Sequence, residues 1–254
     1  MDKLPVSVCM LVKNEEKNLY KSLPPLEPFT EILVYDSGST DKSSMVCENF
    51  GAKVIRGPWL GFSKTRKKLF ESASQPWIFW LDADEVIPPA LLAEISSLFQ
   101  EEIKVAAFNI NRMIIMLGKP IRHGNWFPDW NVRLFHTKHW SISSDNVHER
   151  VLITGRINSL KNIIEHHSFS SKEDYFKRIS IYEKIWVSDK CKTRRRVMPF
   201  EGFMRACWRF FRGYILRCGF IDGKMGAWIA YGNFFEVYNK YLLLDKHLKK
   251  TSRF

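Results

Sequence analysis

The chain has 254 residues, 45% of them hydrophobic, which is enough to bury a sizeable core in one domain with an appendage and excludes a wholly disordered chain. Its formal net charge of +12 predicts an anionic partner, which can be nucleic acid, an acidic membrane surface or a phosphorylated substrate.

The first hundred residues alternate short apolar runs with amphipathic ones, which is typical of β-α-β units around a mostly parallel sheet. Strands are predicted over residues 6–12, 31–35, 54–55 and 77–81, and helices over 16–23, about 40–50, 63–72 and after Pro88 and Pro89. Sheets of this kind bind ligands at the carboxyl ends of their strands. Asn14, Asp36 and Asp82 all fall there.

Beyond residue 104 the pattern becomes shorter and more strand-like as far as residue 167, and it then turns helical over 172–189, about 199–218 and 222–247. We therefore expect an α/β domain over residues 1–170, in two parts, 1–104 and 105–170. A helical C-terminal region should follow over 171–254.

Two carboxylates leave the fourth strand one residue apart. Asp82 and Asp84 are well placed for a divalent cation that bridges diphosphate oxygens. The alternative is a pair of solvated turn acids, with Glu85 beginning a helix whose dipole favours it. Asp36 can reach a base edge or a ribose hydroxyl, or it can shape the turn at Ser37 and Gly38.

Smaller signals surround these acids. Asn14 and Glu15 can touch a nucleotide, although Asn14 is equally suited to cap the first helix. Arg66 lies in a basic run, Lys64 to Lys68, that either meets phosphate or ribose or is a solvated helix face.

Three segments, in this order, resemble glycosyltransferase family 2: VSVCMLVKNEE from Val6, VYDSGSTD from Val34 and WLDADE from Trp80. Gly61, Phe62 and Arg66 also resemble the bacterial branch with the lipopolysaccharide core β-1,4-glucosyltransferases. The resemblance continues through residues 126–135, 147–149 and 219–223. It implies a GT-A fold, Rossmann-like with a mostly parallel sheet between helices, and inverting transfer from a nucleotide sugar, with UDP-glucose as the first candidate donor. Residues 1–170 would then be the nucleotide-sugar-binding and catalytic domain, with a donor half (1–104) and an acceptor half (105–170).

The resemblance also implies roles. Asp36 would bind the base, Arg66 the nucleotide, and Asp82 and Asp84 the ribose, the sugar and a divalent metal, Mg²⁺ or Mn²⁺. The whole predicted nucleotide-sugar site is Val12, Asn14, Glu15, Asp36, Arg66, Asp82, Ala83, Asp84 and Arg133. Many relatives carry Asp in place of Ser37 and Asn in place of Lys67, which leaves the choice of base open.

An inverting transfer needs a base to take the proton of the attacking hydroxyl. Glu149 is the first candidate and Asp129 its rival, or an acceptor ligand. We expect the metal to be held by Asp84, His148 and His167, although each histidine can instead be a hydrogen-bonded structural residue. Arg133 would neutralise the leaving diphosphate or pair with an acid at the core edge.

The C-terminal region is locally cationic, with eight basic residues against the single acid Glu201 between Lys192 and Arg217. Arg205, Arg209 and Arg212 recur at helical spacing, and a second side carries Phe203, Cys207, Phe210 and Tyr214. This is the form of an interfacial membrane helix. The alternative is that the aromatic residues pack on the catalytic domain and the arginines face water.

Five scattered cysteines, the absence of a signal-like start and the absence of a long apolar run predict a cytoplasmic protein, peripheral on the inner face of the cytoplasmic membrane. We expect a UDP-sugar donor, a glycolipid acceptor, an anionic membrane surface and no nucleic acid as partners. Open alternatives are a polyprenyl phosphate or polypeptide acceptor and, in another class, a nucleic-acid-binding or non-catalytic scaffold protein. A nucleotidyltransferase would need a glycine-rich basic loop where Lys13 to Glu16 stands.

Overall fold

The structure is a computed structural model that describes residues 3–143, 151–169, 171–193 and 196–251. The chain forms two compact units. The first comprises Met1–Arg112 with Asp129–Ser168, and the second comprises Met113–Pro128 with Phe169–Phe254.

Four parallel strands form one side of the sheet in the first unit, in the spatial order β3-β2-β1-β4. They are β1 (Leu4–Val12), β2 (Phe29–Asp36), β3 (Lys53–Arg56) and β4 (Trp77–Trp80). The connecting helices are α1 (Glu16–Ser22), α2 (Ser43–Asn49) and α3 (Phe62–Glu71). Because the inner parallel strands of such sheets are covered on both faces, β1 and β4 are mainly apolar, whereas the edge strand β3 has charged residues at both ends.

The central strand β1 shows how the core is divided. Val8 and Met10 pack in a cluster with the buried residues of α1 and of α4 (Pro89–Leu98). Cys9, between them, packs with Leu69 and Phe70 of α3 on the opposite face. Successive side chains of a strand point to opposite faces, so one apolar strand supplies both halves of the core.

Beyond β4 the sheet continues through antiparallel pairing of β4 with β8 and of β8 with β6, and it ends at β11 and β5. The remaining strands are β5 (Glu85–Val86), β6 (Ala107–Met116), β7 (Lys119–Pro120), β8 (Trp130–His136), β9 (Trp140–Ile142), β10 (Val151–Ile153) and β11 (Ile157–Phe169). The predicted α/β class, with a sheet flanked by helices and a C-terminal helical region, is confirmed.

The second unit is mainly helical, with α5 (Lys172–Thr193), α6 (Glu201–Phe211) and α7 (Gly223–Thr251). A turn over Arg212–Leu216 prolongs α6. Met116, Ile121, Tyr175 and Ile229 form its buried cluster. In the described part of the chain, no helix combines the length and the apolar character that a membrane span requires.

Two expectations about local structure are wrong. Asn14 does not cap α1, because its backbone is left-handed (φ 57°) and its side chain bonds the next loop instead. Glu85 does not begin a helix: it lies in strand β5, paired with His166 of β11, and α4 starts only at Pro89.

Candidate active site

The loops after β1 and β2 meet at the carboxyl edge of the sheet, where Val12 lies opposite Asp36 in register. The Asp36 carboxylate is buried and accepts the backbone N–H groups of Gly38 (3.0 Å) and Ser39 (2.8 Å) and the hydroxyl of Ser44. Burial opposes ionisation, but these hydrogen bonds outweigh it and hold the pKa of Asp36 below its usual value. The predicted turn geometry is thus present, and contact with a base stays a prediction.

Asn14 and Glu15 fasten the same two loops together. The Asn14 Oδ1 atom accepts the backbone N–H of Thr40 at 2.7 Å, and the backbone N–H of Asn14 donates to Ser39 Oγ at 3.0 Å. The backbone N–H of Glu15 donates to Ser43 Oγ at 2.8 Å. These contacts set the shape of the edge beside Asp36.

Asp82 follows β4 and is surrounded by donors. Arg66 Nη2 lies 3.2 Å from Asp82 Oδ1, and the indole N–H of Trp80 donates to the same oxygen at 3.2 Å. The Arg66 guanidinium also covers the Trp80 ring, 4.2 Å from its centroid. Arg66 is therefore not a member of a solvated helix face. It is buried against the strand that carries Asp82.

Glu85 is the centre of a buried charge cluster. Its side chain is 0% exposed, and Oε1 lies 2.5 Å from Arg133 Nη2 and 3.3 Å from Arg112 Nη1. Its other oxygen accepts the backbone N–H of Asp82 at 2.9 Å. Arg133, only 2% exposed, also contacts Asp82 Oδ2 at 3.1 Å. Of the two roles considered for Arg133, pairing with an acid at the core edge agrees with these contacts.

The charges around Asp82 decide its protonation. Burial alone would disfavour the carboxylate, but Arg133, Arg66 and Arg112 hold the pKa of Asp82 far below its usual value. Asp82 is accordingly an anion at any physiological pH.

Asp84 points to a different neighbour. Its Oδ2 atom lies 3.2 Å from His166 Nε2, whereas the backbone N–H of His167 donates to the Asp84 carbonyl oxygen at 2.8 Å. The His167 ring contacts Glu165 instead, at 3.4 Å. Ala83, between the two aspartates, is buried. The geometry favours His166 over His167 beside Asp84.

Asp129 is tied to Arg112. Both Nε and Nη2 of the Arg112 guanidinium reach Asp129 Oδ2, at 2.8 and 2.7 Å, and Asn131 donates to Oδ1 at 3.0 Å. Its rival as the base, Glu149, and the predicted ligand His148 lie outside the described residues.

A model of one protein family, described as glycosyl transferase family 2, matches residues 7–154. The chain belongs to this family. The matched range contains the two loops, the Asp82–Glu85 segment and the arginines of the charge cluster, and it ends before β11.

Relatives of this family-2 chain include an uncharacterized glycosyltransferase of Rickettsia typhi, 26% identical over 235 residues, covering 87% of this chain and 80% of that protein. The lipopolysaccharide core biosynthesis glycosyltransferase LpsC of Rhizobium meliloti is 25% identical over 258 residues, covering 95% of this chain and 94% of that protein. Among solved structures, S. aureus TarS 1-349 in complex with UDP-GlcNAc is 15% identical, with a TM-score of 0.48, covering 94% of this chain and 82% of that one.

Sequence reasoning missed Arg112 and misjudged Glu85, although both signals were available. Arg112 interrupts the apolar strand β6, where a charge needs a buried partner. Glu85 directly follows the family-2 acids. What the sequence could not supply was their pairing, since Arg112, Arg133 and Glu85 come from three different strands.

Proposed function

We propose that this family-2 glycosyltransferase transfers a hexose, with glucose from UDP-glucose as the first candidate, onto a hydroxyl of a lipopolysaccharide inner-core sugar, with inversion at the anomeric carbon. The observation that carries the proposal is the convergence of Asp36, Asp82 and Asp84 at the carboxyl edge of four parallel strands.

That edge supplies complementary contacts for a nucleotide sugar. Asp36 and the loop bonded to Asn14 would meet the nucleoside, and Asp82 would accept hydroxyls of the ribose or the sugar. Three arginines hold the ionised Asp82 carboxylate in place. It is therefore preorganised to accept hydrogen bonds from hydroxyl groups, because it needs no reorientation when the ligand arrives.

The acceptor class rests on the relatives. LpsC is named for lipopolysaccharide core biosynthesis, and the similarity covers nearly the whole of both chains. A phosphorylated glycolipid also agrees with the net charge of +12. The protein would then act on the inner face of the cytoplasmic membrane, where such an acceptor is displayed.

A divalent cation fits the chemistry of Asp84. Within the described ranges, no group of three or more His, Cys, Asp or Glu side chains is arranged to hold a metal ion alone. Mg²⁺, however, is usually held by one or two carboxylates together with substrate phosphates. Asp84 would supply the carboxylate and His166, 3.2 Å away, a second ligand. When bound, the ion would neutralise charge on the departing diphosphate.

Glu149 is the proposed general base. Asp129 already accepts hydrogen bonds from Arg112 and Asn131, so taking a proton would disrupt those contacts. Its half-exposed carboxylate is better suited to orient the acceptor.

Donor specificity is tested with a panel of nucleotide sugars, each with Mg²⁺, Mn²⁺ or EDTA, scored for donor hydrolysis and for thermal stabilisation. We expect UDP-glucose with metal to give the largest response. A larger response to another nucleotide sugar would show that UDP-glucose is not the preferred donor. No response to any nucleotide sugar would contradict the proposal.

The base is tested by comparing Glu149→Gln with Asp129→Asn. We expect Glu149→Gln to lower kcat about 10²- to 10⁴-fold while UDP still stabilises the protein. Asp129→Asn should mainly raise the KM for the acceptor. Wild-type turnover in the Glu149 variant would refute the role of Glu149.

A further inference from the structure

The orientation of α6 is fixed by small residues on one side. Gly202 and Ala206 are buried, and a Cβ atom on Gly202 would come within 2.6 Å of Tyr241 Cβ on α7. The two helices therefore pack backbone to backbone along this side. The opposite side of α6 is turned away from α7.

That opposite side is apolar and exposed. We call it the aromatic face, and its members are Phe200, Met204, Trp208, Phe211 and Ile215. Met204, Trp208 and Phe211 follow one another at spacings of four and three residues, which keeps them on one stripe of α6. Phe200 directly precedes the helix, and Ile215 lies in the turn that prolongs it. Their exposed fractions run from 44% at Ile215 to 80% at Phe200. Leu216, Phe220 and Ile221 continue the exposed apolar surface past the helix end.

The stripe that the sequence suggested is exposed only in part. Phe203 and Cys207 are exposed, but Phe210 and Tyr214 are only partly exposed, and their rings lie 5.3 Å apart. The exposed stripe lies one position further along the helix, a rotation of about 100°.

Positive charge borders the aromatic face. From Arg196 to Lys224 the sequence has six basic residues against two acids. Arg217 and Lys224 are exposed and Arg212 is partly exposed, whereas Arg209 is partly buried, and burial lowers the pKa of its guanidinium. Each of the two acids has a basic partner. Glu201 pairs with Arg205 at 2.9 Å, and Asp222 pairs with His123 at 2.8 Å.

We infer that the aromatic face is a membrane-docking surface that inserts into the headgroup region of a bilayer rich in anionic phospholipid. The inference deepens the proposed function and rests on it for the location of the acceptor. A contiguous apolar surface of this kind marks an interaction site, and tryptophan flanked by arginine suits the boundary between headgroups and acyl chains. Arg212, Arg217 and Lys224 supply the charge complementarity to anionic lipid.

The test is cosedimentation of the full chain with vesicles of phosphatidylcholine containing phosphatidylglycerol, against vesicles of phosphatidylcholine alone. We expect binding to the anionic vesicles, weakened by added salt. The variant Met204→Gln/Trp208→Gln should lower the partition coefficient by about tenfold or more, because both side chains leave water on insertion.

The matched control is Met45→Gln/Tyr20→Gln, which also removes one methionine and one aromatic residue at exposed helix positions, 49% and 56% exposed, in the first unit. It should bind vesicles as the parent does. Because all four side chains are exposed, the melting temperatures of both variants should stay near the parental value, which shows that the variants fold.

Two results would overturn the inference: failure of the parent to bind anionic vesicles, or equal binding by the parent and the Met204/Trp208 variant. A third result would also overturn it: a parental dimer in sedimentation velocity that this variant abolishes, because a second copy would then cover the face. Donor hydrolysis is measured on the same samples. Vesicle binding without hydrolysis of any donor would contradict the proposed function but support the docking surface. Donor hydrolysis without vesicle binding would support the proposed function but contradict the docking surface.

Discussion

Glu85 offers a stringent test of the buried charge cluster. Its carboxylate is inaccessible to solvent and lies 2.5 Å from Arg133 and 3.3 Å from Arg112. Removing one partner of a buried ion pair costs roughly 3–5 kcal/mol, because the remaining charge is left without compensation. In Glu85→Gln, Asp82 still faces Arg133 at 3.1 Å and Asp129 still faces Arg112 at 2.7 Å, so the lower end of that range applies.

A loss of about 3 kcal/mol corresponds to a fall in Tm of about 6–12 °C for a protein of roughly this size. The measurement is thermal denaturation followed by circular dichroism. Glu85→Ala should fall further, since it also removes the acceptor of the Asp82 N–H and leaves a cavity.

The matched control for this variant is Glu48→Gln. Glu48 pairs with Arg56 at 2.6 Å, but the side chains are 47% and 61% exposed, and such surface pairs contribute about 0–1 kcal/mol. Its Tm should fall by less than about 4 °C. If Glu85→Gln melts no lower than Glu48→Gln, the cluster does not stabilise the fold as argued.

Three further predictions concern the site. Arg66→Lys should raise the KM for UDP-glucose about tenfold although charge is kept, because lysine cannot both stack on Trp80 and reach Asp82; an unchanged KM would refute this. Asp84→Asn should raise the Mn²⁺ concentration for half-maximal activity by about tenfold or more, and Asp84→Glu should raise it less. If the parent and Asp84→Asn need the same Mn²⁺ concentration, Asp84 is not a metal ligand. The pKa of Asp36 is lowered on folding. The ionised Asp36 carboxylate therefore stabilises the fold fully above the pKa of the unfolded state, and this contribution is lost as pH falls through the pKa of the folded state. The Tm of Asp36→Asn should therefore lie below that of the parent at about pH 6, and the difference should become smaller towards about pH 3. A difference in Tm that does not change with pH would contradict the lowered pKa.

The strands and helices were predictable because each is encoded locally. The parallel strands contain short apolar runs, and the places where the runs of β2 and β4 end are enough to place Asp36 and Asp82 at the same edge of the sheet, on either side of β1. Asn14 was misjudged because its side chain bonds Thr40, which is 26 residues away. An asparagine just before a helix is expected both for a helix cap and for a residue that bonds another loop, so the sequence does not distinguish the two roles.

The face of α6 shows a related ambiguity. Apolar residues recur at helical spacing on two adjacent stripes, so periodicity alone does not tell which of them is exposed. The deciding signal is the absence of bulk at Gly202 and Ala206, which marks the side where α7 approaches. Small residues on a helix thus locate its buried side more reliably here than large ones.

The charge cluster changes the meaning of the basic residues near the donor edge. Arg66 and Arg133 look available for a diphosphate in the sequence, yet within the described residues they and Arg112 face three carboxylates, those of Asp82, Glu85 and Asp129. Their charges are balanced before any donor binds. A nucleoside diphosphate therefore brings negative charge to an edge whose arginines are already engaged, which is a physical reason, independent of any relative, to expect a cation at Asp84.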